Sequence, residues 1–227
     1  MEGALTAGPD RVVEVFATRA ATEQYADLAG RAPRWTLVDD AALASLSDAV
    51  TPAGVVAVCR FLDVPLATVV DAAPRLVALC ADVRDPGNAG TVIRCADAAG
   101  ADAVLLAGHS VDPYNPKTVR ATVGSLFHLP IVVEPDPATA VRAAQAAGLQ
   151  VLAADGAGEV DLDAADELLA APTAWLFGNE AWGLPDELAA LTDHRVRIPI
   201  HGRAESLNLS TAAAVCLYAS ARVQRAR

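Results

Sequence analysis

The sequence predicts an α/β protein built on a mostly parallel sheet with helices on both faces, preceded by a smaller α/β domain. Three observations carry that expectation. From Arg75 onward, short apolar runs alternate regularly with helical stretches rich in alanine. The apolar runs are continuous rather than alternating, as strands buried on both faces require. Hydrophobic residues make up 53% of 227 residues, enough to fill one large core or a small and a medium one.

The elements follow in order. Before Asp63, strand candidates VVEVFAT (12–18), WTLVDD (35–40) and GVVAVCRF (54–61) are separated by helical AATEQYADLAG (20–30) and AALASLSDAV (41–50). That series is too short for a complete doubly wound fold. Asp63, Pro65 and the Asp71–Pro74 stretch interrupt it, which sets a boundary between domains at 1–65 and 66–227. Beyond it come strand LVALCADV (76–83), helix TVIRCADAAGA (91–101), strand AVLLAG (103–108) and helix PKTVRATVGSLF (116–127). Strand PIVVE (130–134), helix ATAVRAAQAAG (138–148) and strand LQVLAAD (149–155) continue the alternation. After a loop, strand AWLFGNE (174–180), helix PDELAAL (185–191), strand RVRIPI (195–200) and a last helix from about Leu207 complete the chain.

Composition removes several function classes. No apolar run approaches the roughly 20 residues that cross a bilayer, and no basic-then-apolar leader opens the chain, so a cytoplasmic protein is expected. Cys59, Cys80, Cys95 and Cys216 lie singly in apolar surroundings, as small buried thiols rather than metal ligands or disulfides. A net charge of −11 argues against indiscriminate attraction to nucleic acid; an RNA partner would be held by local basic clusters and shape.

Three polar, glycine-bearing junctions fall where strands turn into helices: RDPGNAGTVIRCADAAGA (84–101), WLFGNEAWGLPDELAAL (175–191) and IPIHGRAESLNLSTAAAVCLYASARV (198–223). In a parallel sheet the ends that face such junctions carry the chemistry. At the first, GNAG is too little for a dinucleotide fingerprint; Asn88 reads as a helix cap and Arg94 as a surface arginine or a functional one. At the second, Trp182 reads as a core plug and Glu180 as a carboxylate needing a partner, with Arg94 as the candidate. At the third, Ser206 or Asn208 suffices as a cap, so Glu205, Ser206, Asn208 and Ser210 together exceed what one helix start requires.

Taken together, in this order and spacing, the three stretches resemble the SpoU or TrmH-like branch of the SPOUT RNA methyltransferases. DPGNAGTVIRCADAAGA is similar to the first motif of that family, LFGNEAWGLP to the second and IPIHGRAESLNLSTAAAVCLYA to the third. The resemblance implies a C-terminal trefoil knot, S-adenosyl-L-methionine as cofactor, and methyl transfer to a ribose 2'-hydroxyl of rRNA, or of tRNA. It implies that Gly178, Ile198 and Leu207, with Phe177, Asn179 and Pro199, hold the cofactor. It implies that Asn88, Arg94, Glu180, Ser206 and Asn208 form the catalytic set, Glu180 orienting Arg94. It further implies a homodimer through the methyltransferase domain, in which the second subunit completes the pocket. Residues 1–65 resemble an L30e-like RNA-binding domain curtailed at its start, with only Glu2 and Gly3 left of the usual first strand. Arg84, His109, Lys117, Arg120 and Arg203 are the candidate phosphate contacts. The alternatives are an RNA-binding protein of the same fold without activity, and a Rossmann oxidoreductase. The missing GxGxxG and the absence of an acidic residue in Val104–Gly108 count against the second.

Overall fold

A computed structural model describes residues 1–8, 10–47 and 53–226. The chain divides into two compact units, Met1–Leu62 and Asp63–Arg227.

The first unit holds strands β1 (Val12–Ala17), β2 (Trp35–Leu37) and β3 (Val55–Cys59) in the order β2-β1-β3. β1 runs parallel to β2 and antiparallel to β3. Of the three helices between them, Arg19–Gln24, Ala26–Ala29 and Asp40–Ser45, the first and last start on side-chain caps. Thr18 Oγ1 accepts from Ala21 N at 3.2 Å to open Arg19–Gln24, and Asp39 Oδ1 accepts from Ala42 N at 2.7 Å to open Asp40–Ser45. Val12, Val15, Ala17, Ala21 and Leu43 are buried between sheet and helices. Glu2 and Gly3 do not continue as a strand remnant; they begin a short helix, Glu2–Thr6, that buries Ala4 and Leu5. The end of the helix expected over 41–50 lies partly outside the described residues.

The second unit holds β4 (Leu76–Ala81), β5 (Ala103–Ala107), β6 (Ile131–Glu134), β7 (Gln150–Ala154), β8 (Val160–Asp161), β9 (Thr173–Phe177) and β10 (His194–Arg197). They pair in the order β6-β5-β4-β9-β7-β10-β8, and every pairing is parallel. Every residue of β4, β5 and β9 is buried, which is why their sequences are apolar without a break. β8, two residues long, is too short to leave a periodic signal.

Alternation along β9 shows how the two faces are filled. Leu176 joins Leu79, Leu105, Val132, Val141 and Val151 in the core beneath helix Pro137–Ala146. Trp175 and Phe177 point to the other face, stacked at 6.4 Å between ring centroids, and Trp175 Nε1 donates to Ser220 Oγ of helix Leu209–Arg225 at 2.9 Å. A buried indole so paired is satisfied at its only polar atom; truncating it would cost about 3–5 kcal/mol.

Helix Pro86–Ala99 lies on the same face and begins a turn and a half before the expected start. Asp85 is its cap, accepting from Asn88 N at 2.7 Å, with Pro86 in the first turn. Gly90 is needed for packing: a Cβ there would lie 2.6 Å from Ala121 Cβ and Thr118 O of helix Pro116–Thr122. That second helix stops early, at Val123 (φ 52°) and Gly124 (φ 100°), and resumes as a 3-10 turn over Ser125–Phe127.

From β4 the chain winds outward through β5 and β6, then crosses back to β7 beyond β9. The sheet therefore reverses direction beside β4 and β9, and in such folds the crevice beyond that reversal is where ligands bind.

Candidate active site

The three polar junctions meet at this crevice. Asn88 Nδ2 donates to Glu180 Oε1 at 3.1 Å, and Asn208 Nδ2 donates to Asn88 Oδ1 at 3.0 Å. Asp85 N also donates to Glu180 Oε1, at 3.3 Å. Three side chains distant in sequence thus form one chain of hydrogen bonds across the ends of β4, β9 and β10. Each amide is used at both ends. Asn208 Oδ1 caps the last helix, accepting from Ser210 N at 3.0 Å, Ser210 Oγ at 2.7 Å and Thr211 N at 3.4 Å, while its nitrogen reaches Asn88. Because Asp85 takes the capping role, the side chain of Asn88 is left to bridge Glu180 and Asn208.

Behind the bridge, the loop after β9 is fixed by its own backbone. Asn179 and Gly183 exchange two N–H···O bonds of 2.9 Å each, with Gly183 at φ 70°. The buried Asn179 side chain donates from Nδ2 to Asp82 O at 2.7 Å and accepts at Oδ1 from Ala181 N at 2.8 Å. Gly178 admits no side chain, since a Cβ would stand 2.5 Å from Gly183 C and O. The loop is a closed hydrogen-bonded unit.

Two recesses flank the bridge. The first is a cleft of about 450 Å3, bounded by Ala154–Gly156, the Phe177–Glu180 loop with Gly183, Val196, Ile198, Ile200, Glu205–Leu209 and Ala212. Its size falls within the range of small-molecule sites, and apolar walls with a few polar groups are their usual construction. Of the residues expected to hold a cofactor, Phe177, Gly178, Asn179, Ile198 and Leu207 line it; Pro199 lies outside the lining. Ala154, Asp155 and Gly156, at the end of β7, line it without having been anticipated. An acidic residue followed by glycine directly after the apolar run LQVLAA was the available signal.

The second recess is more open and is lined by Arg84, Asp85, Pro86, Asn88, Asn179–Trp182 and Asn208. Asn179, Glu180 and Asn208 belong to both, so the hydrogen-bonded bridge is the seam between them.

Several expectations need correction. Glu180 is exposed, not a buried carboxylate, because β9 ends at Phe177 and Gly178 turns the chain outward. Its partner is Asn88. Arg94 is exposed, lines neither recess, and has no hydrogen bond or ion pair among the described residues, so the Glu180–Arg94 pair is not formed within one chain. Trp182 is not a core plug; it is 55% exposed, with the Arg84 guanidinium 5.1 Å from its ring centroid. Ser206 and Glu205 are exposed on the rim of the cleft. Of the other candidate phosphate contacts, His109 is tied to Asp82, through its backbone at 2.7 Å and its ring at 3.3 Å. Lys117, Arg120 and Arg203 are exposed outside both linings.

Cys80 is fully buried and lines neither recess. Burial, reinforced by the charge of Glu180, pushes its thiol up to about 12. Among the described residues, no group of three or more His, Cys, Asp or Glu side chains could hold a metal ion, and no helix is long and apolar enough to cross a membrane.

The SpoU rRNA Methylase family matches this sequence over residues 75–218. A 23S rRNA (uridine(2479)-2'-O)-methyltransferase of Streptomyces viridochromogenes is 43% identical over 140 residues, covering 60% of this chain and 49% of that protein. The 23S rRNA (guanosine(2553)-2'-O)-methyltransferase RlmP of Bacillus subtilis is 36% identical over 185 residues, 80% of this chain and 70% of that one. The chain therefore spans about half of the first relative and over two thirds of the second. Among solved structures, the SpoU methyltransferase AviRb of Streptomyces viridochromogenes in complex with AdoMet superposes with a TM-score of 0.81 at 32% identity, covering 100% of this chain and 88% of that one. An AdoMet-bound rRNA methyltransferase from Sinorhizobium meliloti gives a TM-score of 0.81 at 37% identity, over 96% and 82% of the two chains.

Proposed function

The chain belongs to the SpoU rRNA Methylase family, and from that premise we propose that it transfers a methyl group from S-adenosyl-L-methionine to a ribose 2'-hydroxyl of RNA in the cytoplasm, ribosomal RNA ahead of transfer RNA. The observation that carries this reading is the seam. One set of hydrogen-bonded side chains, Asn88, Glu180 and Asn208, separates a deeper small-molecule cleft from a more open recess bearing an arginine and an aromatic ring.

The cleft fits the cofactor on its own lining. Phe177, Val196, Ile198, Leu207 and Leu209 offer apolar walls suited to an adenine ring. The Gly178 backbone and the second lone pairs of the Gly183 and Asp155 carbonyls suit its hydrogen-bonding edges, and the carboxylates of Asp155 and Glu205 suit hydroxyl and ammonium groups. Bound there, the cofactor supplies an electrophilic methyl group on a sulfonium. The chain's part is to hold two reactants in line and exclude water, which can contribute roughly 7–11 kcal/mol when alignment is good. Asn88, Glu180 and Asn208 hold the seam rigid, and Ser206 closes the rim.

Arg94 completes the site from a second copy of the chain. An exposed arginine that faces neither recess of its own chain has that role in the homodimer proposed here. There its guanidinium, permanently charged, lies against the target ribose and phosphate and eases loss of the hydroxyl proton. Residues 1–65 form the RNA-binding domain and 66–227 the catalytic domain, with a trefoil knot formed by the segments after β9 and β10.

The test is transfer of labelled methyl from S-adenosylmethionine to separated, unmodified ribosomal and transfer RNA, beside Arg94→Ala. Label in the ribosomal fraction, lost in the variant, is expected. Cofactor binding without transfer to either fraction would replace this reading with an RNA-binding protein of the same fold.

A further inference from the structure

We infer that Trp182, backed by Arg84, is the platform on which the base of the target nucleotide stacks; the inference rests on the methyltransferase reading above. An indole left 55% exposed needs a reason, since its apolar area would stabilise the fold if buried. Its neighbours in sequence leave it uncovered. Ala181 and Gly183 carry almost no side chain, and the Asn179–Gly183 backbone pair holds the loop that presents the ring. Arg84 lies 5.1 Å from the ring centroid, so one side of the indole is already occupied by a cation and the remainder opens to the recess.

The position fits a nucleotide base better than any other group. The recess that holds Trp182 shares Asn179, Glu180 and Asn208 with the cofactor cleft, so a ribose delivered to the seam brings its own base over the ring. Proteins that bind unpaired RNA hold its splayed-out bases by stacking them on aromatic side chains and arginine guanidinium planes. A chain of net charge −11 gains little from long-range attraction to RNA, and stacking is a contact that does not depend on charge. Arg84 adds a cation against both ring and phosphate at the same spot.

The experiment reads Trp182 directly. Of the three tryptophans, Trp175 is fully buried and Trp35 is half-buried in the first unit, its Nε1 donating to Thr22 Oγ1 at 2.9 Å. Titrating the full chain with short single-stranded RNA oligonucleotides should quench tryptophan emission, and Trp182→Phe should remove that quench. In methyl transfer, Trp182→Ala should lower kcat/KM for RNA by about 5- to 150-fold, as loss of one base–aromatic stack of ~1–3 kcal/mol requires. The loss should appear in KM for RNA, with KM for S-adenosylmethionine unchanged and Trp182→Phe affected least. Equal kcat/KM for wild type and Trp182→Ala, or the same quench in Trp182→Phe, overturns the inference. If the wild-type protein transfers no methyl at all, the functional reading fails, and the quench and its loss in Trp182→Phe still decide whether this ring stacks on RNA. Should Trp182→Ala fail to fold, Trp182→Leu, which keeps apolar bulk without a ring, carries the kinetic comparison and Trp182→Phe the quench.

Discussion

The two walls of the cleft are made differently. The wall formed by the loop after β9 is locked: Glu180 is bonded to Asn88 in the first turn of helix Pro86–Ala99, Asn179 and Gly183 exchange two backbone hydrogen bonds, and Asn179 has a partner for every polar side-chain atom. The opposite wall, 199–207, has none of this. Among the described residues its backbone makes no hydrogen bond, and its one polar side-chain approach is His201 Nε2 at 4.0 Å from Asp163 Oδ2. Segments of low local stability are those that open to admit ligands. A fixed wall that holds the chemistry faces a wall that the ligand itself can order, and Asn208 joins them.

The largest effects should come from breaking that joint. Asn208→Ala and Asn88→Ala should each reduce methyl transfer by about 100-fold or more, the scale of losing one well-placed donor. Asn208→Asp separates two roles: it keeps the oxygen that caps the last helix and loses the N–H to Asn88. Melting temperature should stay near wild type in Asn208→Asp and fall by about 2–4 °C in Asn208→Ala, for a cap of ~1 kcal/mol. Equal transfer in Asn208→Asp and wild type would show that the bridge carries no function. Mixing inactive Arg94→Ala with inactive Asn88→Ala should restore transfer, because a mixed dimer contains one site with both residues intact; no recovery would contradict a shared site.

A smaller effect is expected on the locked wall itself. Gly178→Ala must push the backbone at Gly183 away from 2.5 Å, which should cost about 1–3 kcal/mol of stability and weaken S-adenosylmethionine binding measured by calorimetry. Hydrogen exchange sharpens the contrast: amides of 200–207 should exchange fast in the free protein and become protected with cofactor, while Asn179 and Gly183 are protected in both. Uniform protection before cofactor is added would erase the difference between the walls.

The smallest effect concerns the cysteine thiols. Burial raises Cys80 to about 12 and raises Cys216 further, so neither should react with a thiol reagent at pH 8 until the protein unfolds. Cys59 and Cys95, half-buried and raised less, should react slowly in the native state. The sign for stability follows. The folded state holds these protons more tightly than the unfolded state, so the contribution is complete below pH 9 and is lost as pH rises from there through about 12. Unchanged stability across that interval would contradict it.

Most of the second unit was legible because its central strands β4, β5 and β9 are buried on both faces, and that environment leaves a continuous apolar run. What was not legible has specific causes. Asn88 looked like a cap because the helix was started at Thr91, although Asp85 followed by Pro86 is the stronger start signal. Starting the helix there also separates Arg94 from Asn88: six residues are about one and two-thirds turns, so the two cannot share a face. With Asn88 bonded to Glu180, Arg94 is turned away from that carboxylate, and the face that meets Glu180 was the part local sequence did not encode. The positions of Asp155 and Gly156 in the cleft depend on β9 and β10 flanking β7, a neighbour relation that local sequence does not encode.

The most direct measurement is alkaline hydrolysis of ribosomal RNA labelled by this protein with methyl-labelled S-adenosylmethionine. A methyl group on the ribose 2'-oxygen removes the nucleophile that cleaves the adjacent phosphodiester, so the account predicts that the label is recovered in an alkali-resistant dinucleotide. Label recovered in a methylated mononucleotide would place the methyl on a base and contradict it.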